Sequence, residues 1–152
     1  MKENITMKFI ILLSCSLFFV ACKCQKKISE QKNQAKNDTI LTAHIANPTD
    51  SSDAIKIEEA KINGQVLELK VSYGGGCEVH EFDLVGSSNI SKSLPPIRSI
   101  QLIHRAHKDA CKALVIKDLK FDLSSFAYKK ESGSAIYLQL DGWEDKLLYI
   151  YP

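Results

Sequence analysis

Period-two alternation is the clearest pattern in the chain. Between Val66 and Tyr73, Leu67, Leu69, Val71 and Tyr73 fall on one side and Val66, Glu68, Lys70 and Ser72 on the other. That is the signature of a strand with one buried face. A second apolar run, Ile57 to Ile62, precedes it across Asn63-Gly64. Asn-Gly tolerates the positive φ of a type I′ turn, so the two runs predict a β-hairpin. Gly74-Gly75-Gly76 ends the hairpin, Val79 to Val85 resumes the pattern, Pro95-Pro96 interrupts it, and Arg98 to Ala106 alternates again. Further strands are predicted over Ala113 to Ile116, Lys117 to Leu123, Ala135 to Leu140 and Lys146 to Tyr151, and Ser124 to Lys130 leaves room for one short helix. Short runs separated by turn residues point to an all-β fold, an antiparallel sandwich or open barrel of about 6–8 strands.

The start of the chain follows different rules. Phe9 to Val20 is an apolar run behind Lys8, diluted only by Ser14, Cys15 and Ser16, and it ends at Ala21-Cys22. Crossing a bilayer takes about 20 apolar residues. The run is too short for that and reads as a secretory signal over residues 1–21. Phe19-Val20-Ala21-Cys22 resembles a lipobox, the recognition sequence of bacterial lipoprotein processing, whose pattern has Leu where Phe19 stands. The resemblance implies a diacylglyceryl group on the Cys22 sulfur and a further acyl chain on its amine. Together these anchor stably where one chain holds only marginally, so the membrane is the first partner expected.

From residue 22 to residue 53 the chain is rich in Lys, Gln, Asn, Ser, Thr and Asp, with too few large apolar residues to offset chain entropy. It reads as a lipid-anchored linker. Its Lys23, Lys26, Lys27, Lys32 and Lys36 suit anionic headgroups. Residues 54–152 then form one domain, about 100 residues long, a size at which a core is thin. Cleavage before Cys22 removes Lys2, Lys8 and Glu3, so the net charge falls from +2 to +1. No basic excess remains for nucleic acid to recognise.

Of the five cysteines, Cys15 leaves with the signal, Cys22 takes the lipid and Cys24 lies in the linker. Cys77 and Cys111 remain in the domain, an even pair in an oxidising compartment. A bond between them closes a loop of about 35 residues, which the chain-entropy model values at roughly 3.5–4 kcal/mol. Three histidines lie close by, in Cys77-x-x-His80 and His104-x-x-His107-x-x-x-Cys111, with Asp109 between the last two. Strand phase turns His80 to the side of Phe82 and Leu84, and His104 to the side of Ile100 and Leu102, while His107 falls on a polar turn. Two readings follow. In one, Cys77–Cys111 is a structural disulfide, His80 and His104 are core groups bonded to each other or to Asp109, and no cofactor is needed. In the other, a zinc or copper ion is held by a subset of Cys77, His80, His104, His107, Asp109 and Cys111. A disulfide uses up the thiolates that a metal would take. Catalysis by a thiolate with His80 or His104 as base is a minor reading, because cysteines without C-x-x-C spacing favour pairing.

The domain carries Tyr73-Gly74-Gly75-Gly76-Cys77-x-x-His80-x-Phe82-x-Leu84, then His104, Asp109-x-Cys111 and Phe121-Asp122-Leu123. In this it resembles a group of small lipoproteins from Bacteroidetes-type bacteria. The resemblance implies an envelope location and a shared fold, and it assigns no catalytic residue. Such bacteria send some lipoproteins to the outer face by acidic residues just after the lipidated cysteine. Lys23-Cys24-Gln25-Lys26-Lys27 lacks them, which points to the periplasmic face of the outer membrane. The functional expectation is a non-enzymatic interaction or envelope-maintenance module with an envelope protein as partner. The alternatives are a periplasmic zinc or copper binder and an inhibitor of an envelope enzyme.

Overall fold

A computed structural model describes residues 39–48 and 51–152. The signal segment, Cys22 and the linker up to Asp38 lie outside the described residues. The described chain holds nine strands: β1 Ile40–Thr42, β2 His44–Ile45, β3 Lys56–Asn63, β4 Val66–Gly75, β5 Glu81–Ile90, β6 Ile97–Arg105, β7 Ala113–Asp122, β8 Ala135–Leu140 and β9 Lys146–Ile150. The short helix expected after β7 is a single 3-10 turn, Ser124–Phe126. The strands build an all-β sandwich of two sheets, ordered β1-β7-β4-β3 and β2-β5-β6-β8-β9.

Alternation explains the core. Leu67, Leu69 and Val71 of β4 and Leu119 and Phe121 of β7 face Leu84 of β5, Ile100 and Leu102 of β6 and Ile136, Leu138 and Leu140 of β8, all buried in one cluster. The β3–β4 hairpin turns at Asn63-Gly64, where Gly64 has φ +59. The stretch read as two strands, Ala113 to Ile116 and Lys117 to Leu123, is one. No turn residue separates Ile116 from Lys117, and β7 pairs with β4 without a break from Ala113 opposite Gly75 to Asp122 opposite Val66.

Two expectations are corrected. The sheets are mixed, since β1–β7, β2–β5 and β6–β8 are parallel pairs. Parallel neighbours need a long connection, and β7 supplies it by carrying the chain from β6 to the other sheet and back to β8. The folded part also begins well before residue 54. β1 pairs with β7 in one sheet, β2 pairs with β5 in the other, and Ala43 between them is buried with its carbonyl accepting from Ser125 Oγ. Strands of three and two residues take their stability from these neighbours and are too short to show a period.

One glycine marks close packing inside the sandwich. A Cβ on Gly86 would sit 2.6 Å from the ring of Phe126, so the 3-10 turn packs directly on the β5 backbone.

Candidate functional site

The residues singled out by the cysteine and histidine spacing meet at one end of the sandwich, where β4 leaves for β5 and β6 leaves for β7. Cys77 and Cys111 are joined by a disulfide with a Cα–Cα distance of 5.9 Å. It ties the β4–β5 loop to the β6–β7 loop. The β6–β7 loop turns at His107 and Lys108, with φ of 49° and 62°, and closes through a hydrogen bond from Asp109 N to the Ala106 carbonyl. Both central residues are left-handed, as a type I′ turn requires, and neither is glycine. The turn aims Asp109 back into the domain.

Asp109 is the hub of this end. Its side chain is fully buried. Oδ2 accepts from the backbone N–H groups of Gly76, Cys77 and Glu78 at 2.8, 3.0 and 3.1 Å, and from His80 Nε2 at 3.1 Å. Oδ1 accepts from Cys111 N at 2.8 Å. Gly76, at φ +115, curls the chain so that three successive N–H groups converge, an anion-holding nest. The N–H groups of Cys111, Glu78 and Cys77, with a further contribution from His80, hold the carboxyl well below the usual carboxylate range against the opposing effect of burial. The disulfide and the Asp109 carboxylate therefore bind the same two loops twice, once covalently and once by charge.

Behind Asp109 the bonds continue inward. His80 Nδ1 lies 2.7 Å from His104 Nε2, and His104 Nδ1 lies 3.2 Å from the Ala54 carbonyl. Both rings face the interior, with His104 1 % exposed and His80 8 %. Tyr73 stacks on His80 with ring centroids 4.6 Å apart, and Phe82 stacks on His104 at 5.1 Å. Burial, and next to it the nearby His80, push the His104 pKa down from its ordinary value. Burial raises that of Tyr73.

The chain of contacts sets a proton count. The Asp109 carboxylate at one end and the Ala54 carbonyl at the other can only accept, and three contacts lie between them. Each contact needs one proton, while two neutral imidazoles carry only two between them. All three contacts are bonded at once only when the pair of rings carries one proton more than two neutral imidazoles hold.

Cys77, Asp109 and Cys111 each place a donor atom within 4.8 Å of the others. Both sulfurs, however, are bonded to each other, the Asp109 oxygens are committed to N–H donors, and all four ring nitrogens of His80 and His104 have partners. His107 stands apart on the exposed turn, with Nε2 3.5 Å from Glu81 Oε2.

Several participants were not legible from spacing. Ser52 Oγ accepts from the His104 N–H, Asp53 N donates to the His104 carbonyl, and Asp53 Oδ2 accepts from Ala106 N. These residues lie in the stretch expected to be linker, and they instead cap the end of β6. Gly75 matters for its lack of a side chain: a Cβ there would sit 2.6 Å from His80 Cε1 and 3.0 Å from Asp109 Oδ2. The one signal available beforehand is Asp109-Ala110-Cys111, in which an aspartate bonds its own backbone two residues on.

No protein-family model and no curated protein sequence matches the chain. Solved structures do show the same fold. A NigD-like immunity protein from Bacteroides caccae is similar with a TM-score of 0.53 at 16 % identity, over 74 % of this chain and 65 % of that one. A protein of unknown function, DUF1344, from Bacteroides vulgatus is similar with a TM-score of 0.50 at 17 % identity, over 74 % of this chain and 58 % of that one. The chain thus matches less than two thirds of the length of each, and what it shares with them is the all-β sandwich.

Proposed function

We propose that this chain is a lipid-anchored envelope protein, held by Cys22 at the periplasmic face of the outer membrane, whose β domain works by binding another envelope component and not by catalysis. The observation that carries the reading is the closed chemistry of the Cys77–Cys111 end. Thiols, imidazoles and carboxylate are the groups that nucleophilic or metal chemistry would use, and here each is committed to another group of the same cluster. Their arrangement serves to fix two loops across the end of a thin sandwich. The lipobox-like Phe19-Val20-Ala21-Cys22 supplies the anchor.

A second reading keeps the anchor and makes the domain an inhibitor of an envelope enzyme. Its support is the sandwich shared with a protein described as NigD-like immunity protein, and a shared fold alone is analogy. Growth with an alkyne fatty acid, followed by membrane fractionation and in-cell crosslinking, tests both. The intact chain should carry the label, fractionate with membranes and crosslink to an envelope protein, and Cys22→Ser should lose label and membrane together. An unlabelled chain in the soluble fraction contradicts the anchor. A labelled chain that crosslinks to nothing contradicts the interaction role, and crosslinking to an enzyme whose activity falls on binding favours the inhibitor reading.

A further inference from the structure

The opposite end of the sandwich presents apolar side chains to water on a rigid support. Leu94, in the β5–β6 loop, is 94 % exposed. It shares a shallow groove of about 550 Å³ with Pro95, Pro96, Tyr128 and Lys129. Neither loop is loose. Ser91 Oγ bonds Ser93 Oγ and accepts from Ile97 N, Ser93 Oγ donates to the Pro95 carbonyl, and Ser91 N donates to the Ile97 carbonyl. Across the groove, Lys129 N donates to Ser134 Oγ, Gly133 N to the Tyr151 carbonyl and Ser134 N to the Glu131 carbonyl. A leucine pinned in full contact with water is a hydrophobic surface already paid for in ordering entropy and lacking only its apolar partner.

Charge says which partner. Lys92 beside Leu94, and Lys129 and Lys130 beside Tyr128, are all exposed, and Glu131 is the acidic residue in the groove lining. Exposed leucine and tyrosine ringed by lysines match the layering of a bilayer interface: acyl chain below, aromatic ring at headgroup depth, ammonium groups on phosphates. We propose that the Leu94–Tyr128 end is a second membrane contact, which dips Leu94 and Tyr128 into an anionic lipid surface and sets the Lys92, Lys129 and Lys130 ammonium groups against its headgroups. The proposal rests on the reading of a membrane-held chain. Sixteen residues lie between Cys22 and Thr39, a length of chain that reaches at most about 60 Å. Docking by this end would turn the Cys77–Cys111 end away from the membrane.

The test uses the mature chain from Cys22 onward with Cys22→Ser and Cys24→Ser, so that no lipid is attached and an added thiol is unique. An environment-sensitive fluorophore is placed at Leu94→Cys or, as control, at Leu114→Cys, which is 74 % exposed at the other end. On phosphatidylglycerol vesicles the fluorophore at 94 should shift to the blue and the one at 114 should not. Phosphatidylcholine vesicles should give neither shift. Binding read at 94 should weaken about fivefold for each of Lys92, Lys129 and Lys130 changed to Gln, and further with salt. The thermal midpoint should stay unchanged, which shows that the variants fold. No shift at 94, or an equal shift at 114, overturns the proposal and leaves the linker lysines as the lipid contact. If vesicles give no shift at 94 but Leu94→Asp abolishes crosslinking to an envelope protein, the patch is a protein-docking surface and the proposal is likewise overturned. Lipid on Cys22 is read separately by fatty-acid labelling, so failure of the anchor and failure of this contact are distinguishable.

Discussion

The two ends of the β5–β6 hairpin differ in how they use their polar groups. At the Cys77–Cys111 end, polar and charged groups are buried, and each is satisfied by a neighbour: carboxylate by N–H groups, imidazole by imidazole, sulfur by sulfur. At the Leu94–Tyr128 end, apolar groups are exposed and the polar atoms serve to hold the loops that carry them. Buried polar networks that are fully satisfied specify one conformation, whereas exposed apolar groups on a rigid loop are what a binding partner covers. Under the proposed function, the chemically conspicuous residues hold the fold and the exposed apolar ones are where a partner is sought. The difference between the ends predicts which substitutions cost stability and which do not.

The largest effect should come from the staple. Cys77→Ser with Cys111→Ser frees the loop from the unfolded-state constraint at a cost of about 3.5–4 kcal/mol, which lowers the thermal midpoint by roughly 15 °C or more in a domain of this size. A fall of only a few degrees would show that the Asp109 nest holds the end by itself. Gly75→Ala comes next. Its Cβ would drive into His80 and Asp109, an overpacking that costs about 1–3 kcal/mol. Chemical denaturation should show the loss, and retention of wild-type stability would mean that the His80–Asp109 contact is dispensable.

Acid should weaken the same end. His104 titrates below its ordinary value of 6.5 in the fold, so as pH falls below that value the unfolded chain takes up a proton that folded His104 refuses. Stability present above pH 6.5 is therefore lost on acidification. Asp109, held below its ordinary 3.8, adds a second loss at lower pH, because unfolding lets it protonate. Thermal midpoints measured from pH 7.5 downward should fall in those two stages, and a midpoint that is flat or rises contradicts the buried network.

Smaller effects test the turn and the far end. Lys108 holds a left-handed φ of 62°; Lys108→Gly relieves that strain and should raise stability by about 0.5–1 kcal/mol. A loss instead would mean that the lysine side chain contributes to the turn. Leu94→Asp should change stability by no more than about 0.5 kcal/mol. A larger loss would show that Leu94 belongs to the folding core and would erase the contrast between the ends.

Much of this was legible in the sequence. Asn63-Gly64 fixed a hairpin because few dipeptides accept its turn, and period two turned His80 and His104 inward with Phe82, Leu84, Ile100 and Leu102. Setting Cys22 apart for lipid left Cys77 and Cys111 to pair, and they are bonded. What escaped was whatever depends on partners distant in sequence. A run such as Ile40–Thr42 carries no period, and nothing in it states that it will lie parallel to β7. The role of Asp109 depends on three backbone N–H groups that converge through the φ of Gly76, and on a left-handed turn made by His107 and Lys108 without glycine or asparagine. Ser52 and Asp53 look like linker residues until β6 is beside them.

The central claim, an anchored binding domain whose cysteine and histidine end is a structural lock, is tested most directly by the intact mass of the protein extracted from membranes, read with and without reductant alongside its metal content. The account predicts a chain beginning at Cys22 with lipid attached, gaining a pair of hydrogens on reduction and carrying no stoichiometric metal. A chain without lipid, or free Cys77 and Cys111 thiols with an equivalent of zinc or copper, would contradict it.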